Sequence, residues 1–495
     1  MTSDLAARRD RLSPAQRALL AKRLSAASSG GAEEQALPAV PRREGGGPAP
    51  LSFAQERLWH HAREFPDRRA YNVLHSLGLF GPLRPPVLAA AFVALVERHE
   101  VLRTRFPEID GELAALVEPA SRVARRLPRI DLSALPAALA EDEGGRAGRA
   151  FGAPPFDLER GPIVRAALLS RSAGEHVLLL GAHHIGIDGW SLALCARDLS
   201  ALYGALAEGR RPDLAAPLRQ MADYASWERG RAAQEGAESF AAEVGWWRRR
   251  LAGVPVDGRV LPIRAGLPGG NSAFTLGPIT AAEVRSFVQS ERVTLFQVLL
   301  AALQAILLRR GAGEAAVATP FSLRARPELA DQVGLLLNLV VLHVPLDEEV
   351  TFREAVVRAR EAALGAFAHA EVPFELLARE IAPQAEPWRT PWVSVMINLP
   401  SGGAGHAEPI TAAGVAFEPL ATVELGTDFD LTLYARESPA GLRLDLGYGA
   451  DLLTAEEGNL LLQELAAVIH QGCAQPDRRL ADVFALLDAL SGKGG

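Results

Sequence analysis

From Leu51 onward, short apolar runs alternate with segments whose apolar residues recur every three or four positions. That spacing predicts helices over 86–99 and 190–207, with strands over 75–80 and 163–169. Residues 176–182 are almost entirely apolar, the pattern of a strand covered on both faces. A second block begins near Gly236. It predicts helices over 240–251, 294–310, 352–367 and 455–471, and strands over 315–318, 336–344, 392–398, 429–435 and 442–448. No short internal repeat is present. A polar stretch over 229–236 divides the two blocks. The pattern therefore predicts an α/β fold of two mixed lobes, each long enough for its own core.

Residues 1–47 read differently. Ser13 reads as a helix N-cap, with Pro14 at the first helical position and Gln16 two further on. The helix would run to about Leu24. Residues 26–50 have the Ala, Gly, Pro and Ser content of a linker. The expected division is 1–47 as helix and flexible linker, 48–228 as the N-terminal lobe, 229–484 as the C-terminal lobe and 485–495 as a tail. The helix on its tether reads equally as a docking element or an inert extension.

Composition narrows the function classes. Of 495 residues, 48% are hydrophobic and 22% charged, which excludes a wholly disordered chain. With 52 Lys and Arg against 59 Asp and Glu, the balance argues against a nucleic-acid binder. Cys195 and Cys473 cannot build a disulfide framework or a cysteine-ligated zinc site, and read as buried thiols. The N-terminus lacks a signal-peptide h-region. The longest apolar runs, 177–180 and 335–342, fall far short of the roughly 20 residues of a membrane span. A soluble cytoplasmic protein is the expectation, without a membrane or nucleic-acid partner.

The sharpest chemical feature is His183-His184-Ile185-Gly186-Ile187-Asp188-Gly189, between the buried strand and a helix. Neighbouring strand residues face opposite ways, so one histidine can enter a cavity while the other packs. A neutral imidazole can accept or position a proton near pH 7. Adjacent histidines on opposite faces are poorly placed to share a metal, and no third ligand is evident. Taken alone, the pair also fits a hydrogen-bonded core feature. A buried Asp188 needs a cationic partner. The G-x-S-x-G elbow, the Walker A loop and a strand-linked G-x-G-x-x-G are missing.

HHIGIDGWS resembles the HHxxxDG signature of the condensation domains of non-ribosomal peptide synthetases. Their superfamily also holds chloramphenicol acetyltransferase-like and wax-ester-synthase-like acyltransferases. Residues 51–59 (LSFAQERLW) and 98–106 (RHEVLRTRF) resemble the family's first two motifs. Residues 221–227 (MADYASW), Val333-Gly334 with Asn338, and 369–376 (HAEVPFEL) follow in family order. The resemblance covers about residues 49–483.

It implies two chloramphenicol-acetyltransferase-like lobes in a V-shaped pseudo-dimer, with a tunnel between them. Carrier proteins would bring a donor thioester and an amine acceptor on phosphopantetheine arms, within or beside other synthetase modules. The product would be an amide. The chain itself would need no metal or other cofactor. His184 matches the active-site position, as general base or as positioner of the amine. His183 and Asp188 support it, and the Gly189 amide would face the reacting carbonyl. Trp190, Ser191, Asn338, His343 and Asn398 are the expected substrate-facing positions. Relatives often carry arginine where this chain has His343. Asp188 is therefore expected to pair with Arg98, Arg103 or Arg324, or to accept from His343. His60 and His61 are expected at the surface or on the donor side. Two alternatives stand beside amide formation: an acyltransferase making an ester with a hydroxyl acceptor, and a non-catalytic recruitment platform.

Overall fold

The apolar run ahead of His183 forms strand Glu175–His183, paired antiparallel with Asn72–Phe80 on one side and Val164–Ser170 on the other. The structure, a computed structural model, describes residues 39–490 apart from 68, 124–126, 235, 268, 400–408, 425–427 and 439. The helix expected over 13–24 lies outside the described residues. One face of the Glu175–His183 strand packs on helices Pro85–Arg98 and Gly189–Ala207 through Leu178, Leu180 and Ala182. The other carries Val177 and Leu179 beneath helix Ala137–Gly152. Burial on both faces explains why this strand shows no polar alternation.

The N-terminal lobe's sheet has six strands, in the order Ile410–Ala412, Val415–Glu424, Asn72–Phe80, Glu175–His183, Val164–Ser170, Arg129–Asp131. Two of these come from far along the chain. Val415–Glu424 pairs antiparallel with Asn72–Phe80, so the lobe is not built from 48–228 alone. The second sheet also has six strands: Leu337–Leu342, Ala316–Ser322, Val393–Asn398, Leu431–Ser438, Gly441–Tyr448, Gly270–Leu276. Helices Pro278–Ser290, Leu295–Arg309, Phe352–Ala368 and Ala455–Ala474 pack with this sheet into one large apolar core. Three of them start at capping boxes (Thr294 with Gln297, Thr351 with Glu354, Thr454 with Glu457). Each box satisfies two otherwise orphaned backbone donors.

Three boundaries differ from the sequence expectation. Residues 39–47 are not a free linker. Val40 is 0% exposed, its N–H donates to Glu328 Oε1 at 2.9 Å, and the Arg43 N–H donates to Asp223 Oδ1 at 2.9 Å. The polar stretch between the blocks is helical, split between Met221–Gln234 and Gly236–Arg250. The presumed tail is entered by helix Leu480–Leu490, which buries Val483, Phe484 and Leu487. The expected lobe boundary between 228 and 229 falls inside helix Met221–Gln234.

Candidate active site

Strand Glu175–His183 ends where Gly186 forces the chain close to its neighbour. A Cβ on Gly186 would sit 2.1 Å from Ile163 Cδ1, so only glycine fits without repacking. His184–Gly186 forms a short 3-10 turn, capped by the His183 side chain. Helix Gly189–Ala207 follows, with Asp188 as its N-cap.

The two histidines sit in different local structure, His183 at the end of the strand and His184 at the start of the turn. His183 is buried, and its Nδ1 accepts the Ile185 N–H at 3.1 Å. Burial, reinforced by the neighbouring His184 and His61, pushes its pKa down to about 3, so the ring is neutral. The rings of Tyr71 and Phe156 each lie 6.3 Å from it. His184 is half-buried, and its Nδ1 lies 2.9 Å from the Ile187 carbonyl. Only an Nδ1–H can hydrogen-bond a carbonyl, so the neutral ring carries its lone pair on Nε2. Its backbone N–H donates to the Tyr71 carbonyl at 2.8 Å. On the next residue, the Ile185 carbonyl accepts Gln55 Nε2 at 2.9 Å.

Asp188 pairs with Arg324. Its Oδ2 accepts Arg324 Nη1 at 2.5 Å and the Leu336 N–H at 3.1 Å. Its Oδ1 accepts the Ser191 N–H at 2.8 Å and the Ser191 hydroxyl at 2.7 Å. The two charged side chains are 0% and 4% exposed. Arg324 Nη2 also donates to the Gln332 carbonyl at 3.1 Å and to Ser191 Oγ at 3.0 Å. This cluster ties the helix after the histidines to the second lobe's 324–336 segment. A buried pair of this kind fixes geometry more than it adds net stability. Gly189 opens the helix, and a Cβ there would meet nothing within 4 Å, so open space lies over its backbone.

The other candidates are placed as follows. Arg98 donates to Asp198 Oδ2 at 2.7 Å, beside His99 at 2.9 Å. Burial favours the protonated Asp198 carboxyl, but hydrogen bonds from His99 and Arg98 hold its pKa well below the usual range. Arg103 donates to the Glu118 carbonyl at 2.7 Å. Neither arginine is a partner of Asp188. Trp190 is 37% exposed, and its indole N–H donates to the Ala330 carbonyl at 3.1 Å. Asn338 staples the motif over 369–376. Its Nδ2 donates to the Ala370 and Val372 carbonyls at 2.8 and 2.6 Å, and its Oδ1 accepts the Phe374 N–H at 2.9 Å. His343 follows strand Leu337–Leu342, with Nε2 3.5 Å from Glu314, and burial lowers its pKa. Asn398 ends its strand half-buried. The structure thus gathers His183, His184, Asp188, Gly189, Ser191 and Arg324, with Trp190 alongside. It engages Asn338 and His343 in contacts of their own. His61, expected at the surface or donor side, is buried at 3% exposure against Asp428.

Among the described residues no group of three or more His, Cys, Asp or Glu side chains is placed to hold a metal ion. Among them, too, no single helix is long and apolar enough to cross a membrane.

This fold and site define a two-lobed HHxxxDG protein, and comparison with known proteins agrees. The family model for the condensation domain matches residues 47–491. A linear gramicidin synthase of Brevibacillus parabrevis is 34% identical over 443 residues, spanning 87% of this chain and 8% of that protein. Phosphinothricin tripeptide synthetase PhsC of Streptomyces viridochromogenes is 34% identical, over 81% of this chain and 37% of its own length. Among solved structures, the X-domain from teicoplanin biosynthesis superposes with a TM-score of 0.78 at 30% identity, covering 90% of this chain and 99% of that one. The first condensation domain of the calcium-dependent antibiotic synthetase, in complex with a substrate analogue, gives 0.72 at 23% identity, covering 88% and 99%, and shows the shared fold. The chain belongs to the condensation-domain family. It spans less than a tenth of the linear gramicidin synthase proteins it matches.

Proposed function

We propose that this chain catalyses amide formation between a carrier-bound acyl or aminoacyl thioester and an amine acceptor. The observation that carries the reading is the His184 ring. The Ile187 carbonyl holds it with the basic lone pair on Nε2, beside a helix start with open space over Gly189. The amine nitrogen attacks the thioester carbonyl, the C–N bond forms and the C–S bond breaks. Nε2 accepts or orients the amine proton, and the proton leaves with the carrier thiol. General-base assistance of this kind contributes about 10²–10⁴-fold. Holding both substrates together supplies much of the rest, and an amide near Gly189 stabilises the developing oxyanion. Donor and acceptor arrive on phosphopantetheine arms of carrier proteins in neighbouring synthetase modules, and enter through a tunnel between the lobes. In this reading Trp190, Ser191 and Arg324 hold the tunnel wall, and Asn338 shapes it indirectly.

Product mass spectrometry tests this. The purified chain is mixed with an acyl-loaded carrier protein and with amine or alcohol acceptors, free and carrier-bound. An enzyme-dependent amide supports the reading, and an ester transfers the same chemistry to a hydroxyl acceptor. A recruitment role has one observation in its favour: the X-domain relative from teicoplanin biosynthesis was solved in complex with OxyB, at 29% identity to this chain. Partner binding without product from any loaded carrier would select that role.

A further inference from the structure

One helix of the first lobe, Phe53–Glu64, touches the second lobe or the segments leading back to it at every turn, through positions four apart. Arg379 lies over the Phe53 ring at 5.7 Å. Arg57 donates to Glu375 at 2.9 Å. His61 Nε2 is 2.7 Å from Asp428 Oδ1. Phe65, at the helix end, meets Trp388 edge-on at 6.4 Å. Residues four apart share a helix face, so this face is the seam between lobes.

Tyr71 joins the two central contacts. Its hydroxyl accepts from Arg57 Nη1 at 3.1 Å and donates to Asp428 Oδ2 at 3.3 Å. Its ring stands perpendicular to that of His61 at 4.9 Å. Burial, then the Asp428 carboxylate, push its phenol pKa well above the usual range, so it stays a donor. The same residue's backbone carbonyl holds the His184 N–H at 2.8 Å.

We infer that Tyr71 is a positioning residue, carrying the closure of the lobe seam through Arg57, Glu375 and Asp428 to the backbone of His184. The hydroxyl is fixed by groups tied to the second lobe, and the carbonyl fixes the start of the His184 turn. A shift in the seam therefore moves His184 relative to any substrate held between the lobes. Only the turnover readout below rests on the amide-forming reading.

The test is hydrogen–deuterium exchange on the full chain, comparing wild type with Tyr71→Phe and Glu375→Ala. Tyr71→Phe keeps the ring and carbonyl, and Glu375→Ala removes the acceptor of Arg57 on the other lobe. Arg353→Gln, at the exposed Arg353–Asp477 pair, is the control. Loss of a hydrogen bond to a charged group predicts about tenfold faster exchange over 183–189 in both seam variants. Strand Val164–Ser170 and the control are expected to be unchanged. Single-turnover rate falls by a similar factor, with KM for the loaded carrier unchanged. Unchanged exchange over 183–189 in both variants overturns the inference. So does acceleration spread evenly over the lobe, which marks a merely structural role. A wild type that makes no product counts against amide formation, and the exchange result then decides the positioning of His184 on its own.

Discussion

Asp188→Ala removes one partner of a buried ion pair. Arg324 is left 4% exposed with no carboxylate, and the Ser191 and Leu336 N–H groups lose their acceptor. Breaking one side of a buried pair costs about 3–5 kcal/mol. Losing the N-cap of helix Gly189–Ala207 adds about 1 kcal/mol. Together these rival the total stability of many domains, about 5–15 kcal/mol. The variant is therefore expected to be poorly soluble or to unfold at much lower urea. Arg324→Met strands the opposite charge, but Asp188 keeps the Ser191 and Leu336 donors and the loss is smaller. In the double variant no buried charge remains, so its loss falls below the sum of the single losses by about 2 kcal/mol. The assay is urea unfolding followed by tryptophan fluorescence, with midpoints converted through a common slope. An Asp188→Ala chain within about 1 kcal/mol of wild type would refute the anchoring argument. Strict additivity in the double variant would refute it as well.

Other consequences are as direct. Gly186→Ala drives a Cβ to 2.1 Å from Ile163 Cδ1 and should cost about 1–3 kcal/mol by overpacking. Gly189→Ala, where a Cβ meets nothing within 4 Å, should leave the thermal midpoint alone and lower turnover; an unchanged rate removes Gly189 from the reacting carbonyl. Burial pushes the Glu228 carboxyl from 4.5 up to about 7, against hydrogen bonds from the Phe53 N–H and the Tyr224 hydroxyl. The folded chain then holds a proton the unfolded chain has released. This contribution to stability is present below pH 4.5 and lost as pH rises through about 7. Relative to Glu228→Gln, wild type should lose up to about 3 kcal/mol across that window; parallel urea midpoints against pH would contradict this. A chain starting at residue 48 loses the buried Val40 and about 1.5–3 kcal/mol relative to one starting at 39, visible as a lower unfolding midpoint.

Much of the fold was legible because each signal was local. The apolar run over 176–182 and the periodic stretch over 190–207 became strand Glu175–His183 and helix Gly189–Ala207, and the histidine motif between them needed no tertiary information. What escaped depends on contacts between distant residues. Nothing local marks Val415–Glu424 as a strand that crosses to pair with Asn72–Phe80. Three arginines were equally good partners for Asp188, and the one chosen lies 136 residues away. The family resemblance implies a substrate-facing Asn338, and nothing local marks its amide as the donor to the Ala370 and Val372 carbonyls. The Arg57–Tyr71–Asp428 connection left one trace, the four-residue spacing of 53, 57 and 61. That spacing marks a helix face without saying what covers it.

The most direct test of the account is the single-turnover rate of acyl transfer from a loaded carrier protein to an amine, for wild type and His184→Ala. Both chains must first show matching unfolding midpoints. The account predicts a fall of about 10²–10⁴-fold in the variant, with the acyl group left on the carrier. A folded His184→Ala chain that forms the amide as fast as wild type would contradict it.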